Sequence, residues 1–229
     1  MIVPFLSDLT LLDALALVAL AGAWAGCTRL AEHPPASRPS VSRLMERYRR
    51  DWMVEMVTRQ PRIFDAAILS SLRQGTTFLA SGAMIAVGGV LALAGNAQQL
   101  QDIVSGVSER AHPTLFWQAK LAVVALLLTH AVFKFIWSNR LFGYCAVVMA
   151  ATPNDVDDAR VARRAAQAAK INARAAANFN RGLRSVYFAF AALAWLAGAL
   201  ALLAAIALTT WTVLTREFAS KARDVLLED

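Results

Sequence analysis

Apolar and polar positions along the chain fall into long blocks, and four of the apolar blocks predict its main elements. Leu9–Thr28, Thr76–Gly95, Thr114–Trp137 and Val186–Leu208 are apolar runs of roughly 20 residues, the length a helix needs to cross a bilayer core. A different period appears between the first two. Val41, Leu44, Met45, Tyr48, Trp52 and Met56 recur at three- and four-residue steps, with Arg43, Arg47, Arg49, Arg50 and Arg59 over much of the other surface. That pattern is an amphipathic helix, either lying in the lipid interface or packed on the protein itself. Residues 62–75 are left as either a linker or an early start of the second span.

The third run has no breaker before Pro153 and stays apolar through Leu141–Ala151. One helix from Thr114 to Ala151 would be about 57 Å long at 1.5 Å per residue, well beyond the hydrocarbon core. Thr152-Pro153-Asn154-Asp155 reads as the start of a new helix, with a Thr cap, proline first and an acid third. The alanine-rich stretch from Asp155 to about Arg184 favours helix, so a hairpin is expected beyond the membrane. The expected fold is all-α: a polytopic membrane protein of one domain, 1–229. It has spans at about 9–28, 76–95, 114–137 and 186–208. Segments 29–75 and 138–185 carry the amphipathic helix and the hairpin that extends spans 3 and 4.

Composition agrees with that pattern. Hydrophobic residues make up 58% and mean hydropathy is +0.47, against about 45–50% apolar in soluble domains. The net charge of +7 and pI near 10.1 would suggest nucleic acid in a soluble protein. Here the basic residues flank apolar runs, so anionic lipid head groups are the expected partner and nucleic acid is not. Cys27 and Cys145 form no C-x-x-C pair, which leaves no cysteine-built metal or haem motif. No metal site or cofactor is expected.

Charge also orients the chain. Residues 29–73 hold nine arginines, and 140–184 hold eight basic residues. The connection 96–113 holds only Arg110, and the tail after Trp211 holds three. The two basic segments therefore belong in the cytoplasm. Four spans then put both termini outside, periplasmic for a bacterial inner membrane. Met1–Thr10 has no basic residue, so the first run reads as a retained span rather than a cleaved signal.

The candidate chemistry lies in and beside the spans. Asp13 and Lys120 both fall near the outer ends of spans that run the same way. They form an ion pair, or else Asp13 caps its helix while Lys120 snorkels outward. His130 and Lys134, four apart, share a helix face, and His130 is either a proton relay or a hydrogen-bonded packing residue. Lys134, Trp137, Arg140, Tyr144, Asn178, Asn180, Arg181 and Arg184 are expected to gather where the hairpin meets the membrane. Gly82, Ala86, Gly88 and Gly89 leave a helix surface of small residues suited to close packing, within the chain or between copies.

Several stretches resemble one family of bacterial membrane proteins, catalogued as domain of unknown function 599. They are Leu44-Met45 with Arg50-Asp51-Trp52-Met53, Arg62-Ile63-Phe64-Asp65, Phe78-Leu79-Ala80-Ser81 and Ile85-Ala86-Val87-Gly88-Gly89. Phe133-Lys134-Phe135-Ile136-Trp137-Ser138-Asn139-Arg140 and Phe179-Asn180-Arg181-Gly182-Leu183-Arg184 complete the set. Gly143 stands where many relatives are expected to carry asparagine. The resemblance implies four spans and no reaction. With no phosphate loop, H-E-x-x-H or serine elbow in the chain, an enzyme is not expected. The expected function is a homo-oligomeric channel or transporter for a small ion. The alternative is an accessory or scaffolding subunit of a larger membrane complex.

Overall fold

The computed structural model describes residues 10–96 and 114–228. The predicted connection 96–113, with Arg110 and His112, lies outside the described residues except for Asn96. Leu9, at the start of the first expected span, lies outside them as well. All the regular elements among the described residues are helical. They are α1 (Leu11–Glu32), α2 (Val41–Glu55), α3 (Ile63–Gly95), α4 (Thr114–Ala150), α5 (Val161–Leu193), α6 (Ala199–Phe218) and α7 (Lys221–Val225). Short 3-10 turns follow α2 at Met56–Thr58 and α5 at Ala194–Ala197. Four runs are long and apolar enough to cross a membrane: Leu11–Glu32, Ile63–Gly95, Thr114–Ala150 and Ala199–Val225.

Where the expected single domain was one body, the chain divides into two compact units. The first comprises residues 1–28, 82–131 and 183–214; the second comprises 29–81, 132–182 and 215–229. The first unit is built on a core that includes Leu20, Leu121, Val124, Leu128, Phe188, Trp195, Leu202 and Ile206. The second is built on Met53, Met56, Leu69, Leu141, Phe142, Cys145, Met149, Ala168 and Ala175. Met53 and Met56 are completely buried. The amphipathic helix therefore packs on protein in the second unit, which decides between its two readings.

Residues 63–75 extend the second span as one helix, α3. The predicted hairpin of α4 and α5 is present in the second unit, where Ser138 donates to the Ala175 carbonyl at 2.8 Å. Its turn differs from expectation. The Thr152 hydroxyl donates back to the Val148 carbonyl at 2.9 Å, so Thr152 finishes α4 instead of capping α5. The latter begins only at Val161, where Asp158 accepts the Val161 amide through its carbonyl.

The fourth expected span, 186–208, is corrected. α5 ends at Leu193, tightens into the 3-10 turn and stops at Gly198, whose φ of 116° and ψ of 169° suit glycine and exclude most L side chains. α6 then starts afresh, with the Leu202 amide donating to the Gly198 carbonyl at 3.1 Å. Phe188, Ala189 and Ala192 of α5 join Leu202, Ile206 and Val213 of α6 in the first core, as a hairpin requires. The second unit shows that the chain has returned. Ser42 accepts from Asn180 of α5 at 3.2 Å and donates to Glu217 of α6 at 2.8 Å. The tail therefore shares a unit with residues 29–81 and 132–182.

Candidate functional site

Asp13 begins as a local matter. Thr10 and Asp13 form a reciprocal cap at the start of α1: the Thr10 amide and hydroxyl donate to Asp13 Oδ2 at 3.1 and 2.6 Å, and the Asp13 amide donates to Thr10 Oγ1 at 3.1 Å. That geometry satisfies two of the orphan donors every helix start carries. The other carboxylate oxygen, Oδ1, accepts the Trp195 indole N–H at 2.7 Å. Lys120 Nζ donates to the Trp195 carbonyl at 2.8 Å. It also lies 4.2, 5.1 and 5.4 Å from the ring centres of Phe116, Trp117 and Trp195.

The expected ion pair is therefore not a direct one. Asp13 and Lys120 are both buried, 6% and 4% exposed, and one residue from the α5–α6 turn holds them both. Trp195 offers its indole hydrogen to the acid and its carbonyl to the ammonium. Three aromatic faces supply the quadrupole attraction that a desolvated cation needs, so Lys120 does not snorkel. Trp195 escaped the sequence reading because it sits inside an apolar run. The available signal was its N–H, which in a buried position requires an acceptor.

His130 is hydrogen-bonded. Its Nδ1 lies 2.8 Å from Ser185 Oγ, which also accepts the Trp24 indole N–H at 3.1 Å. The Trp24 and His130 rings meet edge to face with centres 5.0 Å apart. Lys134, one turn further along α4, belongs to the second unit.

Several residues of the expected cationic gathering have hydrogen-bond partners of their own. Arg140 is exposed and donates to the Tyr144 hydroxyl at 3.2 Å. Asn178 donates to the Arg174 carbonyl within α5, and Asn180 donates to Ser42. Arg181 grips Glu32 with two bonds of 2.7 and 2.5 Å. Arg184 is 4% exposed and belongs to the first unit. The small-residue surface is open: a Cβ built on Gly82, Gly88 or Gly89 meets nothing within 4 Å, while Ala86 rests against the first core.

The second unit contains a site that sequence reasoning missed, a cavity of about 750 Å³ bounded by the start of α3, the end of α4 and the turn before α3. Arg59, Arg62 and Arg73 line it together with Leu69, Ala146 and Met149. Arg62 donates to the carbonyls of Thr152 and Pro153 at 2.7 and 2.8 Å, closing the exposed end of α4. Arg59 pairs with the wholly buried Asp65 at 2.5 Å, and Trp52 donates to the same Asp65 oxygen at 2.7 Å. Arg59, Arg62 and Arg73 are spread along the sequence. Only the fold of α3 against α4 makes them one site.

Four long apolar helices, continuous helical packing and buried polar groups that close on one another define a multi-pass α-helical membrane protein. The chain belongs to the family described as a protein of unknown function, DUF599, which matches residues 15–222. No curated protein and no solved structure matches it.

Proposed function

We propose that this is a non-enzymatic accessory or scaffolding protein of a bacterial inner membrane, docking a partner through its second unit. The observation that carries the reading is α2. Its Met53 and Met56 are wholly buried and Trp52 is tied to Asp65, while Arg43, Arg47 and Arg50 are exposed. A helix pinned on one side and basic on the other is a preformed surface for an acidic partner.

The channel reading has less support. Asp13 and Lys120, the ionisable residues expected near an ion path, end on Trp195, and His130 ends on Ser185. One observation still favours self-association, the open surface at Gly82, Gly88 and Gly89. The protein extracted in mild detergent and weighed discriminates the two. A co-purifying partner that is lost when Arg43, Arg47 and Arg50 become glutamate supports docking. A pure homomer that passes ions in liposomes overturns it.

Orientation follows from the basic counts: the second unit faces the cytoplasm, the N-terminal end of α1 faces outward, and the tail is cytoplasmic. Single cysteines at positions 100, 165 and 222 test this in intact cells, since Cys27 and Cys145 are buried. Labelling at 100 with protection at 165 and 222 is expected; labelling at 222 would refute the placement of the tail.

A further inference from the structure

We infer that Cys145 and Met149, near the end of α4, are ligands of a Cu(I) site entered through the cavity between α3 and α4. The inference goes beyond the docking role and does not depend on it.

Sulfur is gathered in the second unit. Met53, Met56, Cys145 and Met149 all belong to its core, whereas among the described residues the first core holds sulfur only at Cys27. Cys145 and Met149 lie four apart on α4 and so share a helix face. Cys145 Sγ stands 3.8 Å from Met149 Sδ. Two sulfurs bound about 2.3 Å from one ion, with about 120° between the bonds, stand about 4 Å apart. The pair already has close to the spacing of ligands that share an ion.

The donor set chooses the metal. A thiolate with a thioether is soft and selects Cu(I). Structural zinc takes four ligands drawn from Cys, His, Asp and Glu, and the described residues hold no group of three of these able to bind a metal. An iron–sulfur cluster needs several cysteines, and Cys27 and Cys145 lie in different units.

The surroundings prepare the thiol. Asn172 is wholly buried, and its Nδ2 donates to Cys145 Sγ at 3.7 Å. Arg49 fixes the amide in that orientation by donating to Asn172 Oδ1 at 2.6 Å. A donor aimed at the sulfur favours its charged form, and such outer partners tune metal affinity. The thiol's own hydrogen goes to the Ala168 carbonyl at 3.5 Å, and it is the proton the ion displaces.

Access is through Met149, which lines the cavity, whereas Cys145 is completely buried. An incoming ion therefore meets the thioether first. Among small thiols Cu(I) travels as a singly negative complex with two thiolates, and the arginines of the cavity wall favour an anion. Cys145 gives its proton to one departing thiolate, and the two protein sulfurs replace both thiolates on the ion. The products are a thiol, a free thiolate and a neutral Cu(I) centre, and no electron moves.

The test is a titration of the reduced full chain in detergent with Cu(I), without oxygen and against a coloured Cu(I) chelator. X-ray absorption of the loaded protein then reads the ligands. One ion per chain in a shell of sulfur is expected. Cys145→Ala should abolish binding. Met149→Leu conserves volume and therefore the fold, and should weaken binding at least about tenfold, the smallest effect usual even for an outer partner. Cys27→Ser, in the first unit, should leave binding intact. A wild-type chain that takes no copper from the chelator, or a shell of nitrogen and oxygen alone, would overturn the site. So would a Met149→Leu chain that keeps its helical content and binds as tightly as wild type. Each of these failures leaves the docking role standing, because that role is judged by the co-purifying partner.

Discussion

The buried contact at Trp195 makes a rank-order prediction opposite to that of a direct ion pair. In the structure, Trp195→Phe keeps the carbonyl that Lys120 uses but deletes the N–H that reaches Asp13 at 2.7 Å. A hydrogen bond to a charged group is worth about 1.5–3 kcal/mol. Shrinking a side chain that is 2% exposed adds a cavity term of about 1 kcal/mol. The expected loss is centred near 3 kcal/mol, or about 6–12 °C in Tm for a chain of this size. Lys120→Met should be mild. Asp13 keeps all three donors, the two on Thr10 and the indole. The Trp195 carbonyl keeps the Gly198 amide at 3.0 Å, and a buried cation is replaced by an apolar side chain of similar length. With each partner it leaves still hydrogen-bonded, the expected loss is about 1 kcal/mol. A direct ion pair would reverse the order, because losing the lysine would orphan a buried carboxylate at about 3–5 kcal/mol. The assay is thermal unfolding in detergent, followed by tryptophan-independent circular dichroism. Lys120→Met melting below Trp195→Phe would refute the arrangement.

Four further outcomes follow from single positions. Gly182→Ala places a Cβ 2.8 Å from Phe135 Cε1, and Phe135 is wholly buried, so a loss of about 1–3 kcal/mol is expected in the same melt; Gly82→Ala, with open space around it, should instead gain about 0.5–1 kcal/mol from helix propensity. Arg181→Gln breaks two bonds to Glu32, but the Arg181 side chain is 38% exposed, so a screened loss of about 1 kcal/mol is expected, smaller in high salt. Arg160 is hydrogen-bonded to Asp158 and holds its carboxyl down at about 2, below the ordinary 3.8. Its contribution is present above the ordinary value and is lost as pH falls through the lowered one. Hydrogen exchange at the start of α5 should therefore quicken in Asp158→Asn at neutral pH, with the difference from wild type closing as the acid limit is approached; an unchanged difference would refute the linkage.

Much of this architecture was legible because it rests on periodicity and length. Spans one to three, the amphipathic helix and the α4–α5 hairpin all come from runs of apolar residues whose spacing has one structural solution. What sequence left open was decided by partners distant along the chain. α2 could have lain in lipid until Met53 and Met56 were found beneath it. Asp13 and Lys120 could have met directly, because nothing in an apolar run announces that Trp195 will stand between them. The cavity was invisible for the same reason. Arg59, Arg62 and Arg73 looked like ordinary flanking charge, and only the end of α4 turns them into a wall.

The misread fourth span changes more than a boundary. From Val186 the apolar run continues to Leu214, longer than one crossing of about 20 residues needs, and that excess was the available signal. The break at Gly198 divides it unevenly. The apolar end of α5, Val186–Ala197, is too short to span alone and is buried at Phe188, Ala189, Ala192 and Trp195, whereas the run from Ala199 is long enough. Residues of α1, α3, α4, α5 and α6 each belong to both units. Residue 10 belongs to the first unit and the tail to the second. The tail's three basic residues then share the second unit with the nine of 29–73 and with seven of the eight of 140–184, Arg184 lying in the first. In the proposed orientation the tail then adds to the charge bias that orients a chain. The same break presents Trp195 to Asp13 and Lys120, so the turn that ends α5 also supplies the residue that holds the buried charges.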